Sequence, residues 1–309
     1  MTTKYQKIIP NLWFDGTAEE AANFYTSLFS NSTIGRIFRF GKEGQETHGN
    51  QDGAVMNVEF SIDGLQFLAL NGGPLFKFNP AISFFVICET EKELKQLWDK
   101  LKKGGEVMMP LDKYEWSESY GWLKDKFGLN WQLMLGQLKE VGQKITPLLF
   151  FTGNQRGKAA EAIYFYTEVF QGTEIDGILK YEKENEFAEG TVKHAQFSLE
   201  NLKFMAMDSA MENDFPFNES ISFIIDCKDQ EEIDYYWTHL SQGGDPEAQQ
   251  CGWLKDKFGV SWQVVPIEIL TNMLANPDKE KTERVTKAFL NMKKFNLEEL
   301  QSAFDEPGL

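Results

Sequence analysis

The arrangement of apolar and polar residues predicts short strands separated by turns near the start of the chain. Between residues 54 and 62, apolar and polar side chains alternate, and a period of two is typical of a strand with one buried face. Asp63-Gly64 is a hairpin signal that connects this strand to the next one. The predicted strands cover residues 34–40, 54–62 and 65–71.

The strand at residues 54–62 has one apolar and one polar face. Val58, Phe60 and Ile62 are expected to pack under helices, which leaves the intervening polar residues on the opposite side. A later strand shows the same alternation. The polar rows are Asn57, Glu59 and Ser61 in the first strand and His194, Gln196 and Ser198 in the second.

Apolar residues spaced three and four positions apart predict two helices in the first third of the chain. Thr17 with Glu20 matches a capping box at the start of the first helix, and Thr90 with Glu93 gives the same signal for the second. The apolar stripes are Ala21, Tyr25, Leu28 and Phe29 in the first helix and Leu94, Leu97, Trp98 and Leu101 in the second.

An internal repeat organises the chain into two copies of one unit. Residues 121–132 read GWLKDKFGLNWQ and residues 252–263 read GWLKDKFGVSWQ, so ten of twelve positions are identical. The match extends upstream, which defines one copy at residues 5–136 and another at 143–266. Each copy reads as β-α-β-β-β twice, an α+β unit with helices on one face of a mixed sheet. The Lys-Asp-Lys triplet inside the repeated block is read as a turn with a solvated charged face.

The second copy is shorter than the first. Gly105 and Trp122 are 17 positions apart, whereas Gly244 and Trp253 are only 9 apart. The second copy has therefore lost most of one strand or loop, and its pocket is expected to be more open on that side.

A helical tail follows the second copy, at residues 267–309. Its apolar residues fall on one helix face, and Asn296 with Glu299 caps a further short helix. The tail is expected to pack on a domain surface or on a partner subunit. The residues of that face are Val285, Ala288, Phe289 and Met292.

The composition and net charge of the chain indicate which classes of binding partner are not expected. The formal net charge of −16 opposes binding to nucleic-acid phosphates and to anionic lipid, so neither nucleic acid nor a membrane is expected as a partner. Cys88, Cys227 and Cys251 form no CxxC pair, and the N-terminus lacks the apolar core of a secretory signal. We therefore expect a cytoplasmic protein.

Several motifs together resemble one branch of a known superfamily. The segments FDGTAEEAANFYTSLF, NGGPLFKFN, ISFFVICETEKEL and GWLKDKFGLNWQ, with the tail, resemble the PhnB-like branch of the vicinal-oxygen-chelate (glyoxalase/bleomycin-resistance/dihydroxybiphenyl dioxygenase) superfamily, often labelled 3-demethylubiquinone-9 3-methyltransferase-like. The resemblance implies tandem glyoxalase-like domains, each with two βαβββ modules whose mixed sheets curl around a cavity. It also implies a pseudo-dimer within one chain, with a homodimer as a further possibility.

The resemblance also implies where a metal would bind in metal-dependent relatives. One ligand comes from the opening strand and a carboxylate comes from the closing strand, where this chain has Gln132 and Gln263. Only His194 of the three histidines lies on a polar row, since His48 is in a Gly-rich loop and His239 on a helix flank. We therefore expect no catalytic metal or other cofactor. The opening strands offer Ile8, Pro10 and Leu12 or Ile145, Pro147 and Leu149.

Three residues are candidates for chemistry. His194 is either a general base or a sheet histidine bonded to a neighbour. Glu59 is either a buried base with a raised pKa or a carboxylate facing solvent or an interface. Cys251 is either a nucleophile or, as no basic residue is near it in sequence, an inert thiol at a pocket rim. A ligand pocket is expected to use Asn57, Trp122, Gln132, Gln196, Cys251, Trp253 and Gln263.

These features favour a protein that binds or sequesters a small molecule, because the predicted cavities have aromatic walls but no metal ligands. The alternative is an enzyme of the same fold, a lyase, isomerase or dioxygenase acting on a small metabolite. A methyltransferase is the weakest interpretation, since the chain lacks a Gly-rich strand-to-helix turn for a nucleoside cofactor.

Overall fold

The computed structural model describes residues 5–41, 49–183 and 188–305. His48 lies outside these residues. The first copy contains β1 (Ile8–Phe14), α1 (Ala18–Leu28), β2 (Thr33–Arg39), β3 (Val55–Ile62), β4 (Leu65–Asn71), β5 (Ile82–Cys88), α2 (Glu91–Leu101), β6 (Glu106–Tyr114), β7 (Ser117–Lys124) and β8 (Asn130–Leu135). The linker forms α3 (Leu138–Val141).

The second copy repeats this order without a counterpart of β6. It contains β9 (Ile145–Phe151), α4 (Ala159–Val169), β10 (Glu174–Lys180), β11 (Val192–Leu199), β12 (Leu202–Asp208), β13 (Ile221–Asp226), α5 (Gln230–Ser241), β14 (Trp253–Lys255) and β15 (Ser261–Val265). The tail forms α6 (Ile267–Leu274), α7 (Lys279–Leu290) and α8 (Leu297–Asp305).

The predicted elements are confirmed, and one predicted cap is wrong. The strands expected at 34–40, 54–62 and 65–71 match β2, β3 and β4 to within one residue at each end. Thr90 accepts a hydrogen bond from the Glu93 amide, as predicted. Thr17 makes no such bond. Instead, the Asn71 side chain accepts a hydrogen bond from the Ala18 amide, because β4 ends beside the start of α1.

Each sheet joins half of one copy to half of the other. Sheet A has the order β14-β15-β13-β1-β4-β3-β2, so the first module of copy one continues into the second module of copy two. Sheet B has the order β10-β11-β12-β9-β5-β8-β7-β6 and makes the complementary combination. The two modules of one copy thus lie in different sheets, and the copies form a pseudo-dimer within the chain.

Antiparallel pairs at the centre of each sheet join the copies. In sheet A, Asn11 of β1 lies opposite Ser222 of β13. In sheet B, Leu148 of β9 lies opposite Ser83 of β5. The two serines occupy equivalent positions in the repeat, so Asn11 and Leu148 are equivalent as well.

Both sheets curl over the face that points away from α1, α2, α4 and α5, which we call the inner face. Ring centroids are 6.0 Å apart for Trp13 and Trp253 in sheet A and 5.8 Å apart for Trp122 and Phe150 in sheet B. Each pair spans three strand spacings, about 14 Å in a flat sheet. The inner faces are therefore concave.

The main core lies between the sheets and the helices. Trp131 and Trp262 from the closing strands are fully buried there. Asp125 and Asp256, the centres of the Lys-Asp-Lys triplets, are each only 2% exposed. The prediction that this triplet forms a solvated face is therefore wrong for its carboxylate.

The tail packs against the turn at Cys251 and Gly252, just before β14 of the copy that lacks a counterpart of β6. The amides of Cys251 and Gly252 donate to the carbonyls of Met292 and Lys293 over 2.7 Å each. The Phe295 ring packs against Gly252, where an added Cβ would come within 2.6 Å of it. The tail therefore packs beside the shortened part of the second copy, and the greater openness of its pocket stays a prediction.

Candidate functional site

The opening strands place different residues on the inner faces than the sequence analysis assumed. Ile8 and Leu12 of β1 pack in the helix-side core, as do Ile145 and Leu149 of β9. Their neighbours therefore face inward, because successive strand side chains point to opposite faces. The inward residues are Ile9, Asn11 and Trp13 in β1 and Thr146, Leu148 and Phe150 in β9.

A chain of neutral hydrogen bonds crosses the inner face of sheet B. The Tyr120 hydroxyl donates to Gln132 Oε1 over 2.7 Å, and Gln132 Nε2 donates to Ser83 Oγ over 3.0 Å. Gln132 thus lies on the inner face of sheet B with Tyr120 and Ser83, which the sequence analysis did not name, and its role in a pocket stays a prediction. Thr146 Oγ1 is buried on the same face and has no hydrogen-bond partner among the described residues.

Aromatic and methionine side chains form a separate apolar cluster on this face. Its centre is buried, and its rim is partly exposed. Trp122, a predicted pocket wall, lies on the rim. The buried members are Phe85, Ile87, Tyr120, Val141, Leu148, Phe150 and Met205, and the rim residues are Met109, Tyr114, Trp122, Met134 and Met207. Methionine adapts its shape easily, so the cluster can adjust to an apolar ligand.

His194 of β11 points at this cluster. Its ring lies 6.4 Å from the Phe85 ring, although β11 and β5 are three strands apart. Burial lowers the pKa of His194 below its usual value, so the imidazole is neutral at physiological pH. Gln196 follows on the same face of β11, opposite Met205.

The inner face of sheet A is more polar. Asn11 Nδ2 donates to Ser222 Oγ over 3.2 Å, and Gln263 Nε2 donates to the same oxygen over 2.9 Å. Gln263 therefore lies on the inner face of sheet A, and its role in a pocket stays a prediction. Trp253 lies beside it and makes an edge contact with Trp13.

The two residues proposed for catalysis do not meet. Glu59 is on β3 in sheet A, whereas His194 is on β11 in sheet B. Both oxygens of Glu59 accept hydrogen bonds from Arg36, at 2.9 and 2.7 Å. Asn57 lies on the same row of sheet A, and its Oδ1 is buried without a partner among the described residues.

Cys251 lies against the tail. Its thiol is within 3.5 Å of the Phe289 carbonyl and 3.8 Å of the Leu290 carbonyl. Burial raises the pKa of this thiol to about 11, so it is protonated at neutral pH. An unreactive thiol fits these surroundings better than a nucleophile.

The inner faces do not fit a metal ion. The polar side chains that meet on sheet A are those of Asn11, Ser222 and Gln263, and those that meet on sheet B are Tyr120, Gln132 and Ser83. Neutral oxygens alone are weak ligands for hard cations, and neither face gathers the imidazoles or thiolates that zinc prefers. Within residues 5–41, 49–183 and 188–305, no group of three or more His, Cys, Asp or Glu side chains is placed to hold a metal. The expectation of a metal-free site remains a prediction.

An acidic groove of ≈ 590 Å³ lies away from both inner faces, at the start of β1 and α5. Lys7 pairs there with Glu232, and the Tyr236 hydroxyl donates to Glu200 over 2.7 Å. These charged and polar groups satisfy one another, so the groove is a solvated cleft between elements.

The polar residues of the inner faces that the sequence analysis did not name as candidates are Asn11, Ser83, Tyr120, Thr146 and Ser222. A signal for Asn11 was present, because it is the one polar side chain between the apolar residues of β1. The serines gave no signal, since a single Ser in an apolar strand is common.

A family model described as 3-demethylubiquinone-9 3-methyltransferase matches residues 6–134 and again 143–265. These two matches cover most of the chain. The chain belongs to this family. The two matched ranges correspond to the two repeated units, and the tail lies outside them.

Several solved structures are similar to parts or most of the chain. A putative 3-demethylubiquinone-9 3-methyltransferase, PhnB protein, from Bacillus cereus is 41% identical over 42% of this chain and 100% of its own, with a TM-score of 0.39. Glyoxalase I from Zea mays is 10% identical over 88% of this chain and 98% of its own, with a TM-score of 0.53. The genomically encoded fosfomycin resistance protein FosX from Listeria monocytogenes is 15% identical over 45% of this chain and 98% of its own, with a TM-score of 0.32.

The glyoxalase I likeness covers nearly the whole chain and shows a shared tandem fold. No curated protein matches the chain. None of the described helices has the length and apolar character needed to cross a membrane.

Proposed function

We propose that this family member binds and sequesters an uncharged, flat, apolar small molecule on the inner face of sheet B. The observation that carries the proposal is the cluster of aromatic and methionine side chains on that face, which is separate from the helix-side core. Such a lining, with a few fixed polar groups, is typical of small-molecule sites.

The polar groups of the site are neutral. They therefore suit recognition of a ligand better than a reaction that needs a charged side chain. Gln132, Ser83 and the Tyr120 hydroxyl are already bonded to one another. His194 and Thr146 retain hydrogen-bonding capacity towards a ligand, as no described side chain bonds to the His194 ring or to Thr146 Oγ1. Lys203 near the start of β12 is paired with Asp176, so it adds no free charge.

Binding is tested with N-phenyl-1-naphthylamine, an uncharged fluorescent apolar probe. The wild-type protein is expected to bind it saturably and to quench Trp122 and the exposed Trp116. Leu148→Asn introduces the residue that copy one has at the equivalent position, and a polar floor should weaken binding about tenfold. Met207→Gln tests the partly exposed rim with little risk to folding.

Leu75→Asn is the control, because it makes the same change at a position that is 74% exposed and follows β4 of sheet A. Its affinity for the probe should equal that of the wild type. Unchanged affinity in both Leu148→Asn and Met207→Gln would rule out the inner face of sheet B as the binding site.

A further inference from the structure

The inner face of sheet A contains an unusual concentration of buried polar atoms without partners. Of the five such side-chain atoms among the described residues, three lie on this face: Asn11 Oδ1, Asn57 Oδ1 and Ser261 Oγ. Asn11 is 0% exposed and Ser261 is 1% exposed. A buried acceptor without a donor destabilises the free protein, so each of these atoms calls for an explanation.

The fold itself does not require these groups. Sheet B has Leu148 at the position of Asn11. It has Asn130 at the position of Ser261, and there Asn130 Oδ1 accepts a hydrogen bond from Trp122 Nε1 at 3.2 Å. At these two positions, sheet A therefore has buried polar atoms without hydrogen-bond partners, whereas sheet B has none.

The free atoms on sheet A mainly accept hydrogen bonds. Asn11 Nδ2 donates one of its two hydrogens to Ser222, and its carbonyl oxygen Oδ1 receives no hydrogen bond from the described residues. A ligand that satisfies this face must therefore supply O–H or N–H donors. Trp13 and Trp253 stand on the same face and offer apolar ring surfaces to a flat group.

The charged side chains at the margins of this face are paired. Arg36 binds Glu59 at 2.7 Å, and Lys255 binds Glu219 at 2.8 Å. Neither pair leaves a net charge for an ionic ligand, and the whole chain is strongly acidic. These features favour an uncharged ligand.

We propose that the inner face of sheet A is a second binding site, for an uncharged ligand that combines a flat ring with several O–H or N–H donors, as nucleosides and aryl glycosides do. This site differs in chemistry from the apolar face of sheet B. It depends on different residues from those of the proposed function, so each of the two proposals can be tested without the other.

The test uses calorimetric titration of the full-length protein with adenosine, uridine and phenyl β-glucoside. At least one of these probes is expected to bind. Asn11→Leu introduces the residue of sheet B, and Ser222 keeps its hydrogen bond from Gln263 in this variant. The variant should bind the probe about tenfold more weakly and should melt at the same or a higher temperature than the ligand-free wild type, since a buried orphan acceptor is removed.

Ser261→Asn is a second variant at the other end of the face, and it introduces the residue of sheet B there. It is expected to bind the probe more weakly, because its amide can bond to Trp253 as Asn130 bonds to Trp122. If Asn11→Leu does not fold, the probe affinity of Ser261→Asn tests the proposal instead.

Gln155→Met is the matched control, because Gln155 Oε1 is also buried without a partner but lies in a turn outside both inner faces. It should leave probe affinity unchanged. Absence of binding of all three probes by the wild type overturns the proposal, and so does wild-type affinity in the folded sheet A variants.

Discussion

Tyr166 of α4 donates its hydroxyl hydrogen to Asp256 Oδ2 over 2.6 Å, linking two residues that are 90 positions apart. The same oxygen accepts Trp262 Nε1, and Oδ1 accepts the amides of Phe258 and Val260. One carboxylate therefore fixes a helix, a turn and a closing strand. Copy one repeats the arrangement, with Tyr25 and Asp125 at 2.8 Å.

Asp256→Asn is expected to destabilise the protein at neutral pH. The amide nitrogen would face the Trp262 N–H, so two donors would meet in a buried site. The expected loss is about 1–3 kcal/mol of unfolding free energy, measured by urea denaturation. Asp99→Asn, on the exposed side of α2, should change stability by less than about 0.5 kcal/mol. Equal stability of Asp256→Asn and wild type would contradict this role.

The pH dependence of stability follows from the same residue. Burial raises the pKa of Asp256 to about 6, and its four hydrogen bonds offset only part of that effect. The unfolded chain has an Asp pKa of about 3.9. The folded state holds the proton more tightly than the unfolded state does, so protonation of Asp256 contributes about 3 kcal/mol to the unfolding free energy below about pH 4. This contribution is lost as the pH rises through about 6.

The measurement compares wild type with Asp256→Asn between about pH 4 and about pH 7, because the difference cancels the titration of all other groups. The stability advantage of the wild type should shrink as the pH rises. An advantage that stays constant or grows would show that Asp256 titrates outside this range.

Phe295→Ala is expected to loosen the tail from β14. Phe295 is 2% exposed and packs over Gly252, so its loss should cost about 3–5 kcal/mol. The Cys251 thiol contacts tail carbonyls and should react faster with a thiol reagent in this variant. Lys293→Ala is the control, because only the backbone of Lys293 bonds to Gly252. Slow labelling in both variants would show that the tail does not protect this thiol.

Residues 1–138 expressed alone are expected to dimerise. Without copy two, β1 loses its partner β13 and β5 loses its partner β9. Since β13 is the repeat equivalent of β5, two truncated chains can restore both pairings by association. Light scattering should show a dimer, and residues 139–309 added during refolding should yield a one-to-one complex. A monomer as stable as the full chain would contradict the pseudo-dimer.

The candidate site was only partly predictable from the sequence. Gln132 and Gln263 were placed correctly, because the polar residue alternates with buried Trp131 or Trp262 in the closing strands. Asn11 was missed although it is the one polar side chain of β1, because apolar residues occupy both faces of this strand and do not reveal which side faces inward. Strands buried on both faces lose the period-two signal that locates a site.

The sequence by itself determined the repeat, the order of strands and helices, and the apolar faces that pack under the helices. These features depend on local periodicity and on identity between segments, both of which can be read along the chain. Only the tertiary structure decided that each sheet takes one module from each copy, that Glu59 and His194 lie on different sheets, and that the tail packs against the turn before β14. The physical reason is that a strand edge bonds to any compatible edge within reach. The choice between a module of the same copy and the equivalent module of the other copy therefore rests on packing between segments far apart in sequence.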